Sequence, residues 1–231
     1  MKKRLSRVLN ILKYFVIFYF ASSIFFVLLF KFVNPPITPL MVIRVVEQGY
    51  QGQTVKLKSK WVSMSDISPN VPLAVIASED NLFMEHSGFD FESIEKAREF
   101  NQQKNGKKVR GASTISQQTA KNVFLWPQRS WLRKGLEVYF TVLIEFVWGK
   151  KRILEVYLNV IETGKGIYGV EEASQFYFGK PASKLNRGEA ALIAAVLPNP
   201  LKWIPSSPTP YIIGRQQWIL WNMNNIGKLS Y

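Results

Sequence analysis

The chain has 231 residues, no cysteine and a formal net charge of +14. Setting aside a short anchor, that length builds one domain with a real core, and the lack of cysteine excludes disulfides and thiolate metal sites such as zinc fingers. The positive charge is spread along the sequence and favours polyanionic partners (nucleic acid, acidic lipid headgroups or phosphorylated substrates) without choosing among them.

Residues 1–13 form a basic tail, with Lys2, Lys3, Arg4, Arg7 and Lys13 and no acid. Tyr14 to Phe30 is uncharged and dominated by Phe, Ile, Leu and Val, and Phe32 and Val33 extend it past Lys31. The stem of Lys31 can snorkel to the interface. A bilayer-spanning helix needs about 17 to 25 apolar residues, so 14–33 is predicted as a single transmembrane helix. The basic tail stays in the cytoplasm, which places the rest outside the membrane. The run is longer than a signal-peptide core, lacks a small-residue cleavage site and leads into Asn34-Pro35-Pro36, so a retained anchor is expected.

Residues 34–70 read as a linker and the irregular start of the outer region, with short strands near Met41 to Val46 and Thr54 to Lys58. From Val71 to the end the pattern is helical and is read as one domain, 71–231. Pro72 suits a first helical turn. Helices are predicted over Phe91 to Gln103 and Ser113 to Phe124, with a basic loop at Gly106 to Arg110 between them and Pro127 as a breaker. Trp131 to Trp148 is apolar on nearly every side and predicts a buried helix. Core packing is expected for Phe140 and Phe146 but not for Trp126, whose basic neighbours Arg129, Arg133 and Lys134 suit lipid headgroups. Further helices are predicted over Lys151 to Ile161, Val170 to Phe178, Arg187 to Val196 and Tyr211 to Ile226. Pro198 to Pro210 is a proline-rich loop. The fold class is mainly α with at most a small sheet.

Three constellations can carry chemistry. Glu79 to Asp90 gathers carboxylates and the only histidine, His86, at the end of an apolar helix. Burial there would raise a carboxyl pKa and make Glu79 a usable general base; the plainer reading is a solvated helix end with a structural His86. Gly111 to Asn122 opens a helix with small hydroxylated residues followed by amides and Lys121. That suits sugar hydroxyls or an anion, or simple capping by Ser113. Arg133 to Glu137 sets a carboxylate in an apolar helix beside two cations, either for use or as a buried ion pair with Arg133 or Arg152. Glu145 lies two turns further on. Together these are the parts that glycosyl transfer from a pyrophosphate donor needs: a base for the acceptor hydroxyl and positive charge for the leaving group.

Two motif matches carry nothing. Gly164 to Gly169 fits GxGxxG, but a helical segment precedes it where a dinucleotide site needs a strand. Ser93 to Lys96 fits SxxK, but its transpeptidase companions are missing or out of order.

The ordered motifs from about Val71 to Pro200 resemble the peptidoglycan glycosyltransferases of family 51, particularly the monofunctional Gram-negative branch. They read EDxxFxxHxGxD from Glu79, GASTISQQxxKN from Gly111, RKxxE from Arg133, RILExYLN from Arg152, GxGxYGVxxAxxxYFGK from Gly164 and LNRGEAALIAAVLPNP from Leu185. The resemblance implies a lysozyme-like α fold behind a membrane anchor, with the catalytic domain periplasmic and the N-terminus cytoplasmic at the inner membrane. It implies a lipid-linked growing glycan as donor and lipid II as acceptor. Glu79 would be the base and Glu137 a second essential carboxylate. Lys121 and Arg133 would hold pyrophosphate. Asp80, Phe83, His86, Lys96, Ser113, Thr114, Gln117, Gln118 and Asn122 would line the substrate cleft. No cofactor is required, and a magnesium or manganese ion through Asp80 is allowed. Membrane lipids and other wall-synthesis or division proteins are expected partners; nucleic acid is not. Lys96 stands where relatives often carry Arg, and Leu136 where many carry Lys. The competing readings are a lytic enzyme of the same fold and an inactive membrane scaffold.

Overall fold

The computed structural model describes residues 2–104, 111–227 and 229. The basic loop at Gly106 to Arg110 lies outside them. Ten helices and a small sheet make up the described chain: α1 (Lys2–Phe32), α2 (Pro39–Tyr50), α3 (Asn70–Glu79), α4 (Phe91–Gln103), α5 (Ile115–Phe124), α6 (Trp131–Trp148), α7 (Lys150–Val160), α8 (Val170–Phe178), α9 (Arg187–Val196) and α10 (Pro210–Ile226), with strands β1 (Lys58–Ser59), β2 (Glu162–Gly164) and β3 (Ile167–Tyr168). The strands lie in the order β1-β3-β2, with β1 parallel and β2 antiparallel to β3.

The core is built from two helical groups. α3, α9 and α10 pack together, and α5 packs on α6 and α7. Their buried faces merge into one cluster that includes Ile76, Ile115, Ile144, Tyr157 and Ile193, all at most 1% exposed. α3 shows why: Val71, Pro72 and Ala74 to Ala77 are all buried, so this helix has almost no polar face and must sit inside.

The stretch expected to be irregular contains a helix. Met41 to Val46 is not a strand but the middle of α2, because Thr38 caps the Met41 amide and Pro39 occupies the first turn. Leu40, Met41 and Gln48 then share its inward face, the first two joining Tyr168 in a second small core. Of Thr54 to Lys58, only Lys58 enters a strand.

α1 contains the one segment among the described residues long and apolar enough to cross a membrane, Ser6–Phe32, with a mean hydropathy of 2.2. Its C-terminal half is fastened to the domain. Trp148 Nε1 donates to the Val27 carbonyl at 2.7 Å, and the Ser23 and Tyr139 hydroxyls meet at 2.8 Å. The prediction of an all-round buried α6 fails on its outer side. Phe140, Ile144 and Trp148 are buried, but Trp131 and Phe146 are 93% and 90% exposed, and Val142 is exposed too. Trp126 is half-buried and packs against the core edge.

The GxGxxG match folds as the β2–β3 hairpin leading into α8. Gly169 has φ +78°, and a Cβ there would lie 2.7 Å from the Asn159 carbonyl oxygen. Gly169→Ala is therefore expected to destabilise the fold by more than about 1 kcal/mol. A thermal melt within a degree of the parent's would refute that structural role.

Candidate active site

Glu79 ends α3, the apolar helix driven into the core, so its carboxylate is set at the core boundary. Burial raises its pKa. Hydrogen bonds from Gln118 and Ser78, with the Arg215 charge, pull it back down. Gln118 Nε2 donates to Glu79 Oε2 at 3.0 Å, and the Tyr157 hydroxyl donates to Gln118 Oε1 at 3.1 Å. Ser78 Oγ donates to Glu79 Oε1 at 3.2 Å.

Asp80 follows immediately and does different work. Its Oδ2 accepts the Ile115 amide at 2.9 Å, the first free N–H of α5, and its Oδ1 meets His86 Nε2 at 2.8 Å. His86 Nδ1 accepts the Gly88 amide. Thr114 donates to the Gly88 carbonyl at 2.7 Å and caps α5 together with Gln117 in a reciprocal box. The cap is Thr114 and not the expected Ser113, which is exposed.

This geometry corrects several assignments. The Asp80 side chain is 2% exposed with both oxygens engaged, so it does not fit an open metal ligand. Thr114 and Gln117, at 2% and 3% exposure, are spent on the cap, and His86 is a structural ring. Phe83 is fully buried beneath Lys150, whose ammonium lies 4.6 Å from the ring centre. It belongs to the buried core cluster and does not face a substrate. Lys96 is exposed on α4 and pairs with Glu92. Among the described residues it is not bonded to the site carboxylates.

The third constellation joins the first two. Glu137 is 3% exposed and accepts from both Arg133 and Lys134. Arg152, the other ion-pair candidate, pairs instead with Glu155. The Nε of Arg133 is buried without a partner among the described residues, a spare donor. Glu145 is bonded to Ser116 and Lys150 and braces α5 from below.

Lys121 stands between the groups. Burial lowers its pKa, Glu137 and Glu79 raise it, and Arg133 and Lys134 push it down. Among the described residues no carboxylate pairs directly with its ammonium. Beside it, Asn122, Trp126, and Leu40 and Arg44 of α2 enclose a recess of about 120 Å³. Arg44 is held there by both oxygens of Glu162, at 3.1 and 3.2 Å.

Reasoning from sequence missed Arg215, Tyr157 and Arg44. Arg215 donates to Ser78 Oγ at 3.4 Å and to the Ala195 carbonyl at 3.2 Å. One signal marked it: it is the only charged residue between Lys202 and Lys228.

A family model described as Transglycosylase matches residues 47–224. The chain is 54% identical over 224 residues to a biosynthetic peptidoglycan transglycosylase of Bacteroides thetaiotaomicron, covering 97% of this chain and 90% of that one. A protein of the same description from Bdellovibrio bacteriovorus is 57% identical over 205 residues, covering 89% and 81%. One from Haemophilus influenzae is 52% identical over 214 residues, covering 92% and 87%. With a family match over most of its length and such relatives, the chain belongs to the transglycosylase family, whose lysozyme-like domain its helices form.

Proposed function

We propose that the chain polymerises glycan strands of the cell wall from lipid II, with the lipid-linked growing strand as donor. The observation that carries this reading is the placing of a half-buried carboxyl of raised pKa, Glu79, near a half-buried ammonium, Lys121, that no carboxylate among the described residues neutralises directly. Glu79 takes the proton of the acceptor 4-hydroxyl. The freed oxygen attacks the donor anomeric carbon from the face opposite the pyrophosphate. The carbon–pyrophosphate bond breaks, the centre inverts to a β-1,4 link, and undecaprenyl pyrophosphate departs with the bonding electrons.

Negative charge grows on that leaving group, so fixed cations near it lower the barrier. Lys121, the spare Nε of Arg133, and Lys134 supply them. Glu137 has both oxygens occupied by Arg133 and Lys134, so in this reading it positions the cations and does not touch the sugar. Cleavage of neutral glycosidic bonds needs no such clamp, which disfavours the lytic reading; the equipped carboxylate disfavours an idle scaffold.

The membrane reading follows from α1 and the outer side of α6. Val138, Val142 and Phe146 repeat at every fourth residue and are exposed, while the opposite side of α6 packs on α5 and α1 lies alongside at Tyr139. That stripe belongs at the bilayer surface, where a lipid-linked substrate enters. The basic tail then lies in the cytoplasm and the domain in the periplasm.

Incubation of the detergent-solubilised chain with labelled lipid II is expected to give polymer. Glu79→Gln is expected to lower the rate by at least about a hundredfold with the fold intact. Near-parent turnover in that variant would remove Glu79 from the chemistry. Lys121→Ala is expected to lower kcat/KM by about tenfold or more, and unchanged kinetics would end its assigned role.

Proton uptake gives a further test. The base works only when ionised, so activity falls as pH drops through the Glu79 pKa. Gln118 stabilises the ionised form, so Gln118→Ala is expected to move the acid limb of the rate profile to higher pH. A limb that stays put or moves to lower pH would contradict the assignment.

A further inference from the structure

The outer face of α10 carries a line of exposed aromatic rings. Tyr211, Trp218 and Trp221 are 58%, 48% and 61% exposed. Their spacing of seven and three residues puts them on one helix face, with exposed Asn225 continuing the line. Trp203 extends it sideways, its ring 5.4 Å from that of Tyr211. Contiguous exposed aromatic surface of this kind marks a binding site more often than chance exposure does.

Gly214 lies in the same line between Tyr211 and Trp218. A glycine inside a helix costs roughly 0.5–1 kcal/mol relative to alanine. Nothing in the fold asks for it: its φ is not left-handed, and a Cβ there would have no atom within 4 Å. The gap between the rings is therefore left open for something that approaches the helix from outside.

The position and chemistry of the face select the occupant. Arg215 lies four residues after Tyr211 and three before Trp218, and its guanidinium reaches Ser78, next to Glu79. The ring line thus lies on the helix that reaches, through Arg215, the residue next to Glu79. α10 carries no carboxylate, and Arg215 is its only cation. Anionic lipid surfaces and nucleic acid call for clustered lysine and arginine. Flat rings interleaved with the exposed amides of Gln217 and Asn225 instead suit pyranoses, whose C–H faces lie on an indole while their hydroxyls meet amides. Tyr211 and Trp218 are about 10 Å apart along the axis, comparable to the length of a disaccharide.

We infer that this face of α10 is a docking track for the β-1,4-linked amino-sugar strand outside the catalytic cleft, with Tyr211, Trp218 and Trp221 as stacking platforms and Gly214 as the gap between them. The inference rests on the proposed polymerase reading for the identity of the strand. The track holds the strand beside the cleft between additions, so it governs how long a strand grows and leaves the bond-forming step untouched.

The test uses the full chain in detergent and two measurements. Quenching of tryptophan fluorescence by β-1,4-linked N-acetylglucosamine oligomers reads binding, and gel analysis of polymer from labelled lipid II reads strand length. Trp218→Ala with Trp221→Ala is expected to weaken oligomer binding about tenfold and to shorten the strands, with the initial rate unchanged. Because replacing both tryptophans alters the fluorescent signal, calorimetric titration with the same oligomers checks the affinity. Gly214→Gln is expected to raise the melting temperature by restoring helix propensity, yet to weaken binding by filling the gap, which a merely structural glycine would not do. Unchanged affinity and strand length in both variants would overturn the track. So would loss of vesicle binding or of self-association in the tryptophan variant with oligomer binding intact, since the face would then serve lipid or protein. A parent chain that makes no polymer would refute the polymerase reading alone, and the oligomer titrations would still decide the track.

Discussion

The site depends on one buried carboxylate whose two oxygens are both engaged inside the protein. Asp80 closes the N-terminus of α5 through the Ile115 amide and grips His86 with its other oxygen. A helix N-terminus carries partial positive charge and unpaired N–H groups, so an anion there is stabilised. The consequence is geometric. Glu79 precedes Asp80 in the chain, and Gln118 lies one turn into α5. Fixing Asp80 to that helix end brings Gln118 within 3.0 Å of Glu79. The Thr114 bond to the Gly88 carbonyl closes the loop from its other end. Two motifs with twenty residues between them become one corner, and the base is oriented by the groups bonded to it.

The same economy explains the second carboxylate. A nearly buried Glu137 between Arg133 and Lys134 is expensive to desolvate and would be a poor source of stability alone. Its value is to hold two cations close together beside a third, Lys121, against their mutual repulsion. Lys121 feels both carboxylates and both neighbouring cations. In the proposed reading an incoming pyrophosphate would therefore meet charge already in place, with little reorganisation left to do.

Much of this was legible in the sequence, for physical reasons. Helices α4, α6, α8 and α9 fall on their predicted residues because each has a strong amphipathic or apolar period between clear caps. Gln118 bonds Glu79, Arg133 bonds Glu137, and Lys121 lies within the electrostatic reach of both carboxylates. Local pattern could not tell which polar residues face substrate and which are used up internally. Thr114, Gln117, Asp80 and His86 have the composition of a binding cleft but are consumed by one cap and one loop. Phe146 and Phe140 are six residues apart in an evenly apolar helix, and only the docking of α5, whose Phe124 ring stacks on Phe140 at 4.5 Å, decides which is buried. The helix at Pro39–Tyr50 was masked by its β-branched residues, although Thr38-Pro39 was a readable start. Arg215 could be placed only by tertiary packing, since α10 returns to α3 across more than a hundred residues.

The same packing sets how the anchor relates to the chemistry. Every N–H of the Arg152 guanidinium is engaged: Nε and Nη2 at the Phe30 carbonyl, Nη2 also at Val33, and Nη1 at Asn34 and Glu155. Arg152 thus satisfies carbonyls that the end of α1 would leave unpaired, while its cation lies 5.2 Å from the centre of the Trp61 ring. Trp148 pins α1 one turn earlier, at Val27. Trp148 and Arg152 flank Gly149, where α6 turns into α7, and those two helices are the ones that enclose α5. The chain of contacts therefore runs from α1 through the α6–α7 corner to α5, and from α5 to Lys121, Gln118 and Glu79. The Arg152 and Trp148 bonds leave no hinge between α1 and the domain at this end, so the cleft keeps a fixed orientation relative to the apolar helix.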